Sequence, residues 1–160
     1  MENATSNIFL YDCMKRFSWS CFWGVFSSND IPTQLHATSE FNIICNLSRK
    51  EEQGTHFIAL IRKNNVLMYL DPLALYIELN DDISQFISLC NCSEVIKLTT
   101  PVQHWKSWYC GYFSLFFVLY YNNNAACTNL NQFKNTDLSD NDCICLQNLG
   151  HIFEINQIAL

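Results

Sequence analysis

The sequence predicts an α+β fold in which a mixed, mainly antiparallel sheet packs on one buried helix, with further helices on its flanks. Residues 40–70 hold three short apolar stretches separated by polar turns, which is the pattern of an antiparallel strand meander. Residues 108–121 form a nearly unbroken apolar run that is shorter than the roughly 20 residues a bilayer span needs. We therefore expect that run to be a core helix, and we expect no membrane partner.

Length and composition limit the kind of protein this is. The 160 residues fit one domain, so we assign residues 1–160 to a single unit. Aromatic residues make up 14% of the chain and charged residues only 15%, which predicts a large aromatic core. The formal net charge is −6 with nine lysines and arginines, whereas an extended nucleic-acid surface needs clustered basic side chains. The composition therefore does not favour DNA as a partner or cofactor.

The order of elements follows from caps, turns and apolar periodicity. The predicted elements are a helix at 5–17, an extended segment at 21–32, strands at 40–47, 55–61 and 66–70, a helix at 81–90, a strand at 94–98, the core helix, a polar loop to about 141, and a last helix. Thr5 or Ser6 can cap the first helix, and Asp71-Pro72 ends the third strand because proline cannot continue a ladder. The last helix is amphipathic, with an apolar face of Ile144, Leu146, Leu149, Ile152 and Phe153.

The amino terminus and the cysteines indicate a compartment. The first residues lack the basic and apolar regions of a secretory signal, so we expect an intracellular protein. In a reducing compartment the nine cysteines should be mostly free thiols.

One cysteine stands where a polar segment gives way to the core helix. Cys110 is expected in the first turn of that helix, beside unpaired backbone N–H groups and the positive end of the helix dipole. Both features favour a thiolate, which makes Cys110 a candidate nucleophile. The alternative is that Cys110 only packs, as buried cysteines commonly do.

Three other residues supply what a thiol nucleophile needs. His56 lies at the start of the second strand, and Asp71 ends the strand that the Asn64-Asn65 turn pairs with it, so the two side chains should meet at neighbouring strand ends. His56 can then act as base and Asp71 as the group that orients it. Gln103 precedes Cys110 by seven residues, which lets a loop aim its amide at a substrate carbonyl oxygen.

This ordered set resembles the adenovirus-type cysteine endopeptidases, the adenain family, and more distantly the ubiquitin-like-protein proteases. The matching stretches are Phe22-Trp-Gly-Val-Phe26 with Pro32, Phe41 to Leu47, Gly54-Thr-His-Phe57, Val66 to Pro72, and Val102-Gln103 with Cys110-Gly-Tyr-Phe113. The similarity runs from residue 5 to about 121. Departures are Phe57 where the adenovirus enzyme has Trp, Asp71 where it has Glu, no match after Asn124, and an acidic chain where adenovirus enzymes are basic.

The resemblance implies a papain-like fold and a thiolate–imidazolium mechanism. It makes Cys110, His56, Asp71 and Gln103 the catalytic positions. It implies cleavage of viral precursor polypeptides after glycine-containing motifs with an aliphatic residue upstream, during virion maturation in the host nucleus and the virion. It also implies a short activating viral peptide, added as an extra strand and linked by a disulfide to Cys92, and activity on ubiquitin-like tails ending in Gly-Gly.

Three other functions stay open at the level of sequence. The first is a deubiquitinase or SUMO-type isopeptidase that acts on host conjugates. The second is an inactive virion binding module of papain-like fold, although such a module has no need of all four catalytic positions. The third is a zinc protein that uses Cys143 and Cys145 with His151, or Cys90 and Cys92. The one-residue gaps between these cysteines differ from the spacing usual in structural zinc sites.

Overall fold

The computed structural model describes residues 5–17, 21–122 and 130–155. The helices are α1 Asn7–Lys15, α2 Asp81–Cys90, α3 Cys110–Asn122 and α4 Asn141–Ile155. The strands are β1 Phe22–Ser27, β2 Glu40–Asn46, β3 Phe57–Lys63, β4 Val66–Leu70 and β5 Glu94–Lys97. Short 3₁₀ turns lie at Thr33–Ala37, Ile77–Leu79 and Leu130–Gln132. Part of the predicted polar loop before α4, residues 123–129, lies outside the described residues.

The five strands form one mixed sheet in chain order, β1-β2-β3-β4-β5. The pairs β2–β3 and β3–β4 are antiparallel, as the strand–turn pattern predicted. The outer pairs β1–β2 and β4–β5 are parallel. Parallel neighbours need a crossover connection, which α2 supplies between β4 and β5. The fold class predicted from the sequence is confirmed.

Helices cover both faces of the sheet, which explains why the central strands are buried along most of their length. On one face, Ile44 and Ala59 pack in a core with α1, α3 and α4. On the other face, Ile43 and Leu60 pack in a second core with α2. Alternate residues of a strand point to opposite faces, so each central strand contributes to both cores.

The apolar run is a buried core helix. Nine of the thirteen residues of α3 are buried, and the phenylalanines at 113, 116 and 117 are inaccessible to solvent. None of the helices among the described residues is both long and apolar enough to span a membrane. The helix therefore stabilises the sheet and fixes the position of its own first residue, Cys110.

Two local predictions need correction. The strand predicted at 55–61 is β3, and it begins at Phe57 instead of residue 55. The reason is that Asn46 Oδ1 accepts hydrogen bonds from the backbone N–H groups of Ser48 (3.0 Å) and Thr55 (3.4 Å), which holds this segment as a turn. His56 therefore lies just before β3. In α4, Leu146 is 37% exposed and Cys145 is buried in its place, so the apolar face is rotated from the predicted one.

Two helical glycines provide a matched test of how closely the segment that leads into α1 approaches α3. A Cβ on Gly111 would lie 2.7 Å from Thr5 Cβ, whereas a Cβ on Gly150 would meet nothing within 4 Å. Overpacking costs roughly 1–3 kcal/mol, and replacing a helical glycine by alanine returns about 0.5–1 kcal/mol. We expect Gly111→Ala to lower the free energy of unfolding by about 1 kcal/mol and Gly150→Ala to raise it by about 0.5–1 kcal/mol in urea titrations. An equal gain in both variants would contradict this packing.

Candidate active site

His56 and Asp71 meet at the ends of neighbouring strands, as predicted. His56 Nε2 lies 2.7 Å from Asp71 Oδ1, and the two side chains are only 11% and 1% exposed. His56 immediately precedes β3, and Asp71 immediately follows β4. The antiparallel register between β3 and β4 brings these two strand ends together. The Asp71 carboxylate accepts a hydrogen bond from Nε2–H, so Nδ1 is the ring nitrogen that remains for Cys110.

Asp71 is held by its own backbone turn as well as by the histidine. Its Oδ1 accepts a hydrogen bond from the backbone N–H of Leu73 at 2.8 Å, and its Oδ2 lies 3.4 Å from the Tyr69 hydroxyl. Burial, together with the nearby Asp71 carboxylate, raises the pKa of Tyr69, so this phenol stays protonated and can donate. Several donors thus keep a buried carboxylate in one orientation.

The surroundings of His56 favour its protonated form. Burial alone lowers the pKa of an imidazole, but hydrogen bonds and electrostatic interactions with Asp71 and Cys110 outweigh it and raise the pKa to about 9 from the ordinary 6.5. His56 is therefore an imidazolium at neutral pH, flanked by a carboxylate and a sulfur. This charge arrangement is the one required by a thiol nucleophile with a general acid beside it.

Cys110 is the first residue of α3 and is 9% exposed. The first backbone N–H groups of a helix have no acceptor inside it, so the N–H of Cys110 is a donor at the site. Ser114 Oγ donates to the Cys110 carbonyl at 2.9 Å and Phe113 N donates to the Tyr109 carbonyl at 3.0 Å, which fixes this first turn.

Gln103 lies in the loop between β5 and α3, and this loop is hydrogen-bonded to Pro72, just after β4. The backbone N–H groups of Val102 and Gln103 both donate to the Pro72 carbonyl, at 2.9 and 3.0 Å. The Gln103 side chain is 2% exposed, and its Nε2 donates to the Ser107 carbonyl at 2.8 Å. Because a carbonyl can only accept, this contact orients the amide, and the second hydrogen on Nε2 remains available to an oxygen bound beside it.

Two cavities adjoin Cys110. The larger cavity has a volume of about 520 Å³ and is lined by His56, Gln103 and Cys110. The apolar part of its wall is formed by Leu73, Leu75, Trp105 and Trp108. The smaller, of about 350 Å³, is lined by Thr5, Gln53, Gly54, Thr55, Phe57, Trp108 and Cys110. Thr55, Trp108 and Cys110 line both cavities. The sulfur therefore lies between two spaces that could each take one side of a bound chain.

The structure also places Cys92 and the cysteines considered for zinc. Cys92 is partly exposed between α2 and the edge strand β5, all four residues of which are exposed. Cys143 is exposed while Cys145 is buried, because residues two apart on a helix do not face each other. Burial raises the pKa of Cys90 to about 11. Within the described ranges, no group of three or more His, Cys, Asp or Glu side chains could hold a metal ion.

Sequence reasoning missed the residues that surround the catalytic positions. Trp105 and Trp108 are 74% and 68% exposed at the rim of the larger cavity, and Ser107 holds the Gln103 amide. The spacing between Gln103 and Cys110 predicts a loop but does not by itself indicate what its side chains do. Two tryptophans in a polar loop that leads to a candidate nucleophile are the sequence signal for this exposed apolar rim.

The fold of this chain is similar to that of known proteins. No protein-family model and no curated protein matches the chain. The crystal structure of the ASFV pS273R protease has a TM-score of 0.61 at 12% identity over 97% of this chain and 67% of that one. The structure of AvrA delL154 with IP6 and CoA has a TM-score of 0.52 at 15% identity, over 94% and 68%. The chain has the papain-like fold of the CE-clan cysteine proteases. At these identities the likeness establishes the CE-clan fold alone.

Replacing Asp71 by asparagine should lower the pKa of His56. The substitution removes the negative charge that opposes the effect of burial, so we expect the pKa to fall from about 9 toward the ordinary 6.5 or below. Titration of the imidazole by NMR measures it directly. Asp81→Asn, at an exposed carboxylate in the first turn of α2, is the control and should leave the value unchanged. A histidine pKa that stays near 9 in Asp71→Asn would show that the carboxylate is not its main stabilising partner.

Proposed function

We propose that the chain is a cysteine endopeptidase of the adenain type that cleaves viral precursor polypeptides. The observation that carries the proposal is the placement of His56 between a buried carboxylate and Cys110, with Gln103 in the same cavity. The CE-clan fold supports the same reaction class. An inactive binding module would have no use for a buried imidazolium that opens onto a cavity.

The proposed reaction begins with the sulfur of Cys110 as a thiolate. It attacks the scissile carbonyl carbon, and the carbonyl oxygen becomes an oxyanion bound by the Cys110 backbone N–H and by Gln103 Nε2. His56 Nδ1 then gives its proton to the leaving amine, which breaks the C–N bond and leaves a thioester on Cys110. Neutral His56 next takes a proton from water, whose oxygen attacks the thioester and releases the acid. Asp71 keeps the imidazole in place throughout.

The shape of the cleft fits substrates with small residues at the cut and an apolar residue upstream. Trp108 and Thr55 both adjoin Cys110, where a bound chain must pass, and glycine makes the least demand on space there. Leu73, Leu75 and Trp105 offer apolar surface in the larger cavity to an aliphatic side chain. We therefore propose motifs with an aliphatic residue followed by glycines before the scissile bond.

The resemblance to adenain also supplies a proposed setting. The substrates would be virion precursors that are cleaved during maturation, in the host nucleus and the virion. A short viral peptide could add to the exposed edge strand β5 and form a disulfide with Cys92, which precedes that strand by two residues. With a net charge of −6, the chain suits a basic peptide better than DNA. Ubiquitin-like proteins with a Gly-Gly tail are the alternative substrates.

A second reaction needs to be distinguished, because one structure of similar fold was determined with CoA. Coenzyme A carries acyl groups as thioesters, and a cysteine nucleophile can accept such a group and pass it to an amine. The same four side chains would serve that reaction. The difference lies in the acyl donor and in whether water or an amine resolves the acyl-enzyme.

A glycine-tailed electrophilic peptide probe should label Cys110 and leave the exposed Cys143 unmodified. Labelling by a probe that is recognised depends on the cleft, whereas a non-specific reagent favours the more exposed thiol. We expect mass spectrometry to locate the adduct on Cys110, His56→Ala to abolish it, and Cys143→Ser to retain it. An adduct that forms at Cys143 alone would contradict the proposal.

Three substrates separate the candidate functions. Cleavage of an aliphatic-x-Gly-Gly peptide without cleavage of a ubiquitin-like conjugate supports the maturation endopeptidase, and the reverse supports the isopeptidase. Transfer of an acyl group from acyl-CoA to a peptide amine, with no peptide cleavage, supports acyl transfer.

Peptide cleavage should decline as the pH rises through about 9. The leaving amine takes its proton from His56, whose pKa is raised to about 9, so the acid form is present below that pH and is lost above it. In Asp71→Asn, kcat should therefore begin to fall at a lower pH than in the wild type. An alkaline limb at the same pH in both proteins would show that another group supplies the proton.

A further inference from the structure

The loop that carries Gln103 is held from the outside by the first residue of α4. Asn141 is fully buried, and its Nδ2 donates to the carbonyls of Val102 (2.7 Å) and Lys134 (2.8 Å). Its Oδ1 accepts from the backbone N–H of Lys134 at 2.8 Å. The Val102 carbonyl belongs to the peptide bond that leads into Gln103. Asn141 therefore ties the backbone next to the Gln103 amide to the start of α4.

The second residue of α4 holds the same loop at a second point. Asp142 Oδ1 accepts a hydrogen bond from Ser107 Oγ at 2.7 Å, and that hydroxyl oxygen accepts one from the backbone N–H of Tyr109 at 3.2 Å. The Ser107 carbonyl is the group that accepts from Gln103 Nε2. Ser107 thus connects α4 both to the Gln103 amide and to the segment that enters Cys110.

The Gln103 loop is hydrogen-bonded on one side to the turn after β4 and on the other side to the start of α4. On the sheet side, the Pro72 carbonyl accepts from the backbone of Val102 and Gln103, and on the helix side Asn141 and Asp142 hold Val102 and Ser107. Neither Asn141 nor Asp142 lines the larger cavity, so any effect they have on the reaction passes through the loop.

We propose that Asn141 and Asp142 are positioning residues for the oxyanion donors, an inference that rests on the proposed hydrolase function. A donor stabilises an oxyanion only when it lies about 2.7–3.1 Å from the position the oxygen will occupy. A shift of 1 Å in a positioned group can cost about 100-fold in rate. The proposal gives the segment 130–155, which lies beyond the stretch that resembles adenain, a role in the chemistry.

The chain provides a matched control for Asn141. Asn148 is the same residue type on the same helix, is 9% exposed, and its Nδ2 donates at 2.7 Å to the carbonyl of Ile144 within α4. Asn148→Ala should lose stability, as Asn141→Ala should, without releasing the loop. Asp142→Asn is a rescue variant, because its amide oxygen can still accept from Ser107, whereas Asp142→Ala cannot.

Three readouts separate loop positioning from general damage. These are kcat for a glycine-containing peptide, the rate of Cys110 alkylation by iodoacetamide, and hydrogen exchange of the backbone amides of Val102 and Gln103. Alkylation forms no oxyanion, so it reports on the thiol alone. We expect Asn141→Ala and Asp142→Ala to lower kcat about 10- to 100-fold, to leave alkylation unchanged and to accelerate exchange. Asp142→Asn and Asn148→Ala should keep the wild-type kcat.

Each contrary outcome has a distinct meaning. If the wild type cleaves the peptide and Asn141→Ala behaves as Asn148→Ala in kcat and exchange, the positioning role is wrong and the hydrolase function stands. If alkylation falls in step with kcat, the helix acts on the thiol and the proposal is again wrong. If the wild type cleaves no peptide, the proposed function fails, and unchanged exchange at Val102 in Asn141→Ala would then overturn the structural part of the inference as well.

Discussion

The hydrogen bond between His56 Nε2 and Asp71 Oδ1 is the interaction on which the site depends. It joins two residues that lie just outside β3 and β4, so its 2.7 Å length is set by the register of the antiparallel pair. Burial alone would lower the pKa of His56 and favour its neutral form, whereas the Asp71 carboxylate raises the pKa. The sheet therefore determines both the position and the protonation state of the group that faces Cys110.

Much of this arrangement could be predicted from the sequence because it depends on local patterns. The turn at Asn64-Asn65 pairs two adjacent strands, so the residues at their far ends must be neighbours. The apolar run after Cys110 predicts a buried helix, and its first residue is then in the first turn. The seven-residue separation of Gln103 and Cys110 predicts the loop that joins them. In each case a short stretch of chain fixes the geometry.

Contacts between distant segments could not be predicted in the same way. The strands β1 and β5 lie at opposite edges of the sheet, where β1 pairs in parallel with β2 and β5 pairs in parallel with β4. These pairings depend on how the connections cross the sheet, and neither edge strand has a sequence pattern that specifies its partner. Asn and Asp are common at helix starts, so the presence of Asn141 and Asp142 there gives no sign that they also hold the Gln103 loop. Leu146 fits the apolar period, yet it is exposed because tertiary packing selects Cys145 instead.

The charge of the chain bears on its partners more than on its chemistry. Asp71 is inaccessible to solvent and the His56 side chain is 11% exposed, so salt and surface charges act weakly on this largely buried pair. An acidic surface is therefore compatible with the buried His56–Asp71 pair and with Cys110 beside it. What a net charge of −6 changes is the long-range field, which repels polyanions and attracts basic segments. The acidity that separates this chain from the basic enzymes it resembles therefore bears on the proposed activator and substrate, while His56, Asp71 and Cys110 are positioned by two strand ends and the first turn of a helix.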